Sequence, residues 1–93
     1  MNIEEIKNKV LPIFAAYGAR RVALFGSSAS GRSTAASDID LLVELNSDFS
    51  LLKFIELKQR LEETLGKKVD LVEYATIKPL LREIILKQKV NLL

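Results

Sequence analysis

Three aspartates in the sequence have the types and spacing of ligands for a cation. Asp38 and Asp40 open the run DIDLLVEL, residues 38–45, whose alternation of polar and apolar residues predicts a β-strand. Residues two apart on a strand share one face, with Cα atoms about 6.6–6.8 Å apart, so these carboxylates repel each other unless a cation neutralises them. Asp70 adds a third carboxylate in KVDLVEY, residues 68–74, which also predicts a strand. Convergent oxygen ligands suit Mg²⁺ or Mn²⁺.

Each aspartate also has an ordinary interpretation. Asp38 could cap a turn, Asp40 could be a solvent-exposed strand residue, and Asp70 could lie on the surface, since exposed aspartates are common. The combination of a strand, a Gly/Ser-rich turn, an Asp-x-Asp pair and a later aspartate is what favours a site.

The composition narrows the chemistry further. The 93 residues contain no cysteine and no histidine, which excludes disulfides, zinc sites of the usual kind and histidine-dependent mechanisms. The net charge of +2 is small and by itself says little about nucleic-acid binding. No apolar run is long enough to span a membrane, so we expect a cytoplasmic protein. The length predicts a single domain over residues 1–93. The basic residues of 76–93 are better explained as a solvated helix face than as a nucleic-acid-binding patch.

The stretch LFGSSASGRS, residues 24–33, runs from an apolar strand into a Gly/Ser-rich turn. From Gly26 to Ser33 it differs by one residue from the phosphate-loop pattern G-x-x-x-x-G-K-[ST]. A phosphate loop is followed by a long helix whose N-terminus faces the phosphates. Only residues 34–37 separate this stretch from the next predicted strand, so the phosphate-loop interpretation fails on architecture.

The elements that must position these residues follow from hydrophobic periodicity. We predict helices over residues 3–17, from Asp48 or Ser50 to Gly66, and from about 76–79 onward, with strands at 21–25, 38–45 and 68–74. Pro12 should kink or split the first helix. The second helix should bury an apolar stripe and the last helix its own apolar face: Leu51, Phe54, Ile55, Leu61 and Leu65 in the former, and Leu80, Leu81, Ile84 and Ile85 in the latter.

This order of elements predicts an α/β (α+β) fold, a small mixed sheet of about three strands with helices packed on it. The spacer between the first two strands, residues 26–37, is short for a helical crossover. We therefore expect those two strands to run antiparallel.

One known family carries the same motifs. Gly26-Ser27, ten residues and then Asp38-Ile39-Asp40 resemble the G-S-x10-D-x-D signature of the polymerase-beta nucleotidyltransferase superfamily. The surrounding LFGSSASG…SDIDLLVEL and the later VDLVEY resemble its minimal nucleotidyltransferase (MNT) branch. The resemblance extends from about Arg21 to Lys89 and implies the polymerase-beta-like nucleotidyltransferase fold.

The resemblance implies an enzyme that uses an NTP, usually ATP, and two divalent ions, Mg²⁺ or Mn²⁺. Asp38, Asp40 and Asp70 would be the catalytic metal ligands. The nucleotide would be bound by the turn residues Gly26 and Ser27 and by Arg32, the nearest basic residue. An acceptor hydroxyl would attack the α-phosphorus, and pyrophosphate would leave.

The same resemblance implies a partner. Members of this branch are typically paired with a HEPN-domain toxin ribonuclease and act as antitoxins by transferring AMP to a tyrosine hydroxyl of the toxin. The sequence departs from the common GSRARG form at Ser28 and Ser30, which replace basic residues. Two alternatives stay open: an antitoxin that neutralises its partner by binding alone, and a transferase with another macromolecular acceptor.

Overall fold

The first helix forms where the sequence predicts it. A computed structural model describes residues 2–26, 29 and 38–93, and within them α1 spans Ile3–Ala16. The Asn2 side chain caps the helix by accepting a hydrogen bond from the Glu5 backbone N–H at 2.8 Å. The helix is continuous through Pro12, so the expectation that this proline splits it is wrong. Buried residues one turn apart hold both halves on the core: Ile6, Val10 and Phe14.

The second helix, α2 (Leu51–Leu65), is bounded by the two cap residues that the sequence offers. Ser50 accepts a hydrogen bond from the Lys53 N–H at 3.1 Å, and Gly66 ends the helix with φ +68°. Its buried row is Leu57, Leu61 and Leu65. The predicted stripe is wrong in its first turn, because Leu51 and Ile55 are 72% and 44% exposed and the packed side follows the later i, i+4 row.

A mixed sheet lies beneath these helices. Among the described residues it has four strands in the order β3-β2-β1-β4: β1 (Arg21–Leu24), β2 (Ile39–Glu44), β3 (Val69–Glu73) and β4 (Val90–Asn91). The pair β1–β2 is antiparallel, as predicted, whereas α2 returns the chain so that β3 runs parallel to β2. The fourth strand was not predicted, since two residues are too few to show a pattern.

Both faces of the sheet are covered at its centre. One face packs under α1 and α2 through residues such as Val22, Leu41 and Val43. The other face carries a smaller cluster of Ala23, Leu42, Tyr74 and Ile77. Leu42 lies on the same face of β2 as Asp40, yet it is completely buried. This face of β2 is therefore polar only toward its ends.

The last helix, α3 (Pro79–Gln88), follows a 3-10 turn at Tyr74–Thr76. Only Ile85 and Leu86 of α3 pack against the smaller cluster. The prediction that α3 buries its apolar face is wrong for Leu80, Leu81 and Ile84, which are 92%, 50% and 54% exposed. In the part of the chain that the structure describes, no helix combines the length and the apolar character needed to cross a membrane.

Candidate active site

Two of the three predicted site aspartates stand side by side on neighbouring parallel strands. Asp40 of β2 and Asp70 of β3 are register partners. Adjacent strands are about 4.7–4.9 Å apart, and partners in register project from the same face, so the two carboxylates are neighbours. Asp38 is exposed just before β2, two residues from Asp40. The fold thus brings together Asp40 and Asp70, which are 30 residues apart in the sequence, at one end of the sheet, with Asp38 at the margin of the pair.

The pKa of Asp40 reflects its burial and the carboxylates around it. Burial raises the pKa of Asp40 above its ordinary value of 3.8, and the neighbouring carboxylates of Asp70 and Asp38 raise it further. Both causes disfavour the ionised form, the first because a half-buried charge loses hydration and the second because like charges repel. The ionised Asp40 carboxylate therefore lowers the free energy of unfolding of the protein at neutral pH.

We expect Asp40→Asn to make the ligand-free protein more stable at neutral pH. A carboxyl group whose folded-state pKa is raised favours the fold while it is protonated, and that contribution is lost as the pH rises through the folded-state pKa. The advantage of the variant should therefore be small below pH 3.8 and grow toward neutrality. Urea unfolding at a series of pH values without divalent ions measures it.

The control for that measurement is Asp48→Asn, in the exposed turn before α2. Its free energy of unfolding should follow that of the wild type at every pH. A lower stability of Asp40→Asn at neutral pH would mean that Asp40 holds the fold together and would contradict the repulsion argument.

Gly26 lies directly against the Asp40 carboxylate. Its backbone has φ +61°, in the left-handed region that favours glycine. A Cβ at this position would stand 2.6 Å from Asp40 Oδ2, well inside van der Waals contact. The Phe25 N–H donates to the Asp40 carbonyl at 3.1 Å and ties the end of β1 to the same residue. The backbone conformation therefore favours glycine here, and any larger residue would have to displace the Asp40 carboxylate.

The start of β3, where Asp70 stands, is held from both sides. The Ile39 N–H donates to the Lys68 carbonyl at 3.0 Å on the β2 side. On the other side, the Glu62 carboxylate of α2 accepts a hydrogen bond from the Val69 N–H at 2.9 Å. Sequence reasoning missed Glu62, because a side chain that binds the outer edge of a strand seven residues away has no recognisable pattern.

The donor chemistry of this site fits Mg²⁺ or Mn²⁺. Asp40 and Asp70 offer hard oxygen ligands, and a cation between them would offset the repulsion that raises the pKa of Asp40. Among residues 2–26, 29 and 38–93, no three Asp, Glu, His or Cys side chains are already arranged as a metal cluster. The described site is therefore a carboxylate pair with Asp38 at its margin.

The predicted nucleotide site belongs only in part to the described residues. Ser27 and Arg32, with Ser28 and Ser30, lie outside the described residues, so their predicted roles stay predictions. Of the predicted nucleotide-binding residues, Gly26 is the one that the structure places, and it places it beside Asp40.

A large open cavity of about 960 Å³ lies at the other end of the β1–β2 pair. Arg21 bonds Glu44 there at 3.1 Å, and its guanidinium stacks 4.2 Å from the centre of the Tyr74 ring. Three arginines in the lining face three acids: Arg20, Arg21 and Arg82, with Glu44, Asp48 and Glu73. None of the predicted site residues that the structure describes lines this cavity, so the carboxylate end, where Gly26, Asp40 and Asp70 lie, remains the candidate active site.

Comparison with known proteins agrees with this fold and site. Residues 3–92 match the family described as the nucleotidyltransferase domain, so the chain belongs to that family and is an enzyme of the nucleotidyltransferase type. The mixed α/β fold and the resemblance to nucleotidyltransferases that the sequence indicated are both confirmed.

Several relatives are similar over most of the chain. A protein of Methanocaldococcus jannaschii with the provisional name protein adenylyltransferase is 47% identical over 93 residues, which is 100% of both chains. Protein adenylyltransferase MntA of Thermococcus cleftensis is 40% identical over 74 residues, 80% of this chain and 75% of its own. A chain from a crystal structure of a toxin–antitoxin with AMP-PNP is 27% identical, with a TM-score of 0.82 over 94% of this chain and 72% of that one.

Proposed function

We propose that this chain transfers AMP from ATP to a hydroxyl group of a partner protein, a HEPN-type toxin, and so acts as its antitoxin. The observation that carries the proposal is the pair of register partners Asp40 and Asp70, with Gly26 against one of them, in a nucleotidyltransferase domain. The two relatives named as protein adenylyltransferases support AMP as the transferred group.

The proposed reaction forms one bond and breaks another at the α-phosphorus of ATP. The oxygen of the acceptor hydroxyl bonds to the phosphorus, the bond to pyrophosphate breaks, and the hydroxyl proton leaves. Bound Mg²⁺ would supply charge neutralisation for the phosphates. Asp38, Asp40 and Asp70 would hold the ion, and Gly26, which has no side chain, would leave room for the triphosphate beside Asp40.

The toxin partner rests on similarity and on the motifs in the sequence. A structural neighbour with a TM-score of 0.82 comes from a toxin–antitoxin complex. An acceptor hydroxyl on a protein would have to reach the carboxylate end of the sheet, where Asp38 and Asp70 are exposed.

Co-expression with a HEPN-domain protein, as the candidate partner, tests the proposal. We expect intact-mass spectrometry to find the partner heavier by one or more AMP units when it is co-expressed with the active chain. The control is the same partner expressed with the Asp40→Asn variant. A partner that binds tightly but is never modified would favour neutralisation by binding alone, the alternative suggested by Ser28 and Ser30. Modification of a different macromolecule would contradict the toxin assignment.

A further inference from the structure

The outer side of α3 is an apolar surface that the fold leaves uncovered. Leu80, Leu81 and Ile84 are 92%, 50% and 54% exposed, and α3 contains no buried residue. Ile84 is the neighbour of Leu80 at i+4 and of Leu81 at i+3, so the three side chains form one patch, called here the α3 face. Leu51, Leu52 and Ile55 form a similar exposed apolar set on α2, so the α3 face is distinguished by the charges around it as well as by its apolar exposure.

Basic residues border the α3 face. Lys78 lies three residues before Leu81, and Lys87 lies three residues after Ile84, so each lysine is at one end of the patch. Lys78 and Lys87 are both exposed. The single acid of α3 is Glu83. An apolar centre with positive ends is complementary to a partner surface that is apolar in the middle and carries carboxylates around it.

A second copy of this chain is a poor occupant for the α3 face. Two-fold symmetry brings the same patch of both copies together. An antiparallel pair of α3 helices would place Lys78 near Lys87 of the other copy, and a parallel pair would place each lysine near its equivalent. Either arrangement brings like charges together at both ends of the contact, which disfavours it. The occupant is therefore a different, acidic molecule.

The α3 face is also on the side of the sheet that carries the Asp40 carboxylate. Ile85 and Leu86 anchor α3 to the cluster that contains Leu42, and Leu42 lies two residues from Asp40 on the same face of β2. A macromolecule bound to the outer side of α3 is thus held on the side of the sheet from which the carboxylates project.

We propose that the α3 face is the docking surface for the protein that receives AMP, through an acidic surface of that protein with an apolar centre. The identity of this protein as a HEPN-type toxin rests on the proposed function. Docking here would hold the acceptor on the carboxylate side of the sheet while leaving Asp40, Asp70 and Gly26 uncovered by the contact itself.

The test compares two highly exposed leucines on different helices. Leu80→Glu places a negative charge in the α3 face, and Leu52→Glu makes the same change on α2, where Leu52 is 80% exposed. The probe is the HEPN-domain protein of the co-expression experiment, purified and titrated at two salt concentrations. We expect Leu80→Glu to weaken its binding about tenfold or more and Leu52→Glu to change it less than about twofold.

Further measurements separate docking from catalysis. Leu80→Glu should keep the rise in melting temperature that ATP and Mg²⁺ give the wild type, because the α3 face lies outside the nucleotide site. Lys78→Glu with Lys87→Glu should also weaken binding and reduce its salt dependence.

Three results would overturn the docking proposal. Equal binding by wild type and Leu80→Glu would contradict it alone and leave the proposed function standing. A wild-type dimer in analytical ultracentrifugation that Leu80→Glu dissociates would assign the α3 face to a second copy. Failure of the wild type to bind the HEPN-type protein at all would contradict the proposed function as well.

Discussion

Asp40→Asn and Asp70→Asn are each expected to reduce AMP transfer by a factor on the order of 10²–10³. Each variant keeps the size of the side chain and removes the charge that a divalent ion needs from it. The loss should come with an unchanged or raised stability of the ligand-free protein, because Asp40 loses a repelling neighbour or its own charge. Transfer of labelled AMP from ATP with Mg²⁺, measured beside urea unfolding, checks both parts.

Asp48→Asn is again the matched control, with an expected rate close to that of the wild type. Removal of divalent ions by chelation should reduce the wild-type rate to that of the Asp40→Asn variant. Full activity of Asp70→Asn would take β3 out of the site and contradict the pairing with Asp40 as the functional arrangement.

Gly26→Ala is expected to damage both stability and activity. A non-glycine residue in the left-handed conformation costs about 1–2 kcal/mol, and the new Cβ would also stand 2.6 Å from Asp40 Oδ2. Gly66→Ala isolates the first effect, since Gly66 has φ +68° and nothing within 4 Å of its Cβ position. Gly26→Ala should therefore unfold at lower urea than Gly66→Ala, and it alone should displace the Asp40 carboxylate and slow AMP transfer.

The clash with Asp40 can be removed while the backbone strain remains. In an Asp40→Ala background the nearest atom to the new Cβ at Gly26 would be the Cβ of residue 40, at 3.7 Å, which is an ordinary contact. The cost of Gly26→Ala in that background should fall to that of Gly66→Ala. Equal costs of Gly26→Ala with and without Asp40 would contradict the close contact.

The sequence was most informative where a local pattern decides the structure. The helix cap at Ser50 and the strand of DIDLLVEL depend on residues within one turn or one strand, so they could be predicted. The antiparallel β1–β2 pair followed from a short spacer. The convergence of Asp40 and Asp70 was expected from the motifs and corresponds to their register.

Features that depend on distant parts of the chain were missed. Leu80 was expected to be buried by the helical pattern and is 92% exposed, whereas Leu42, on the face of β2 that carries Asp40, is completely buried. The difference is set by which face of the sheet each element meets, which periodicity does not specify. β4 is added to β1 by Val90 and Asn91, a pairing too short to leave a pattern. Gly26 was predicted as a phosphate-binding turn, but its contact with Asp40 required coordinates.

The position of β3 at the rim of the described sheet has a consequence for solubility. A strand paired on one side presents free backbone groups to other chains and is a common starting point for aggregation. Here Glu62 occupies the outward N–H of Val69, and Asp70 and Glu73 place charges along the same strand. Asp70 thereby protects the rim as well as serving the proposed chemistry. Variants that remove the charge of Asp70 should therefore be assayed in dilute solution, and light scattering should be recorded with each rate measurement to detect aggregation.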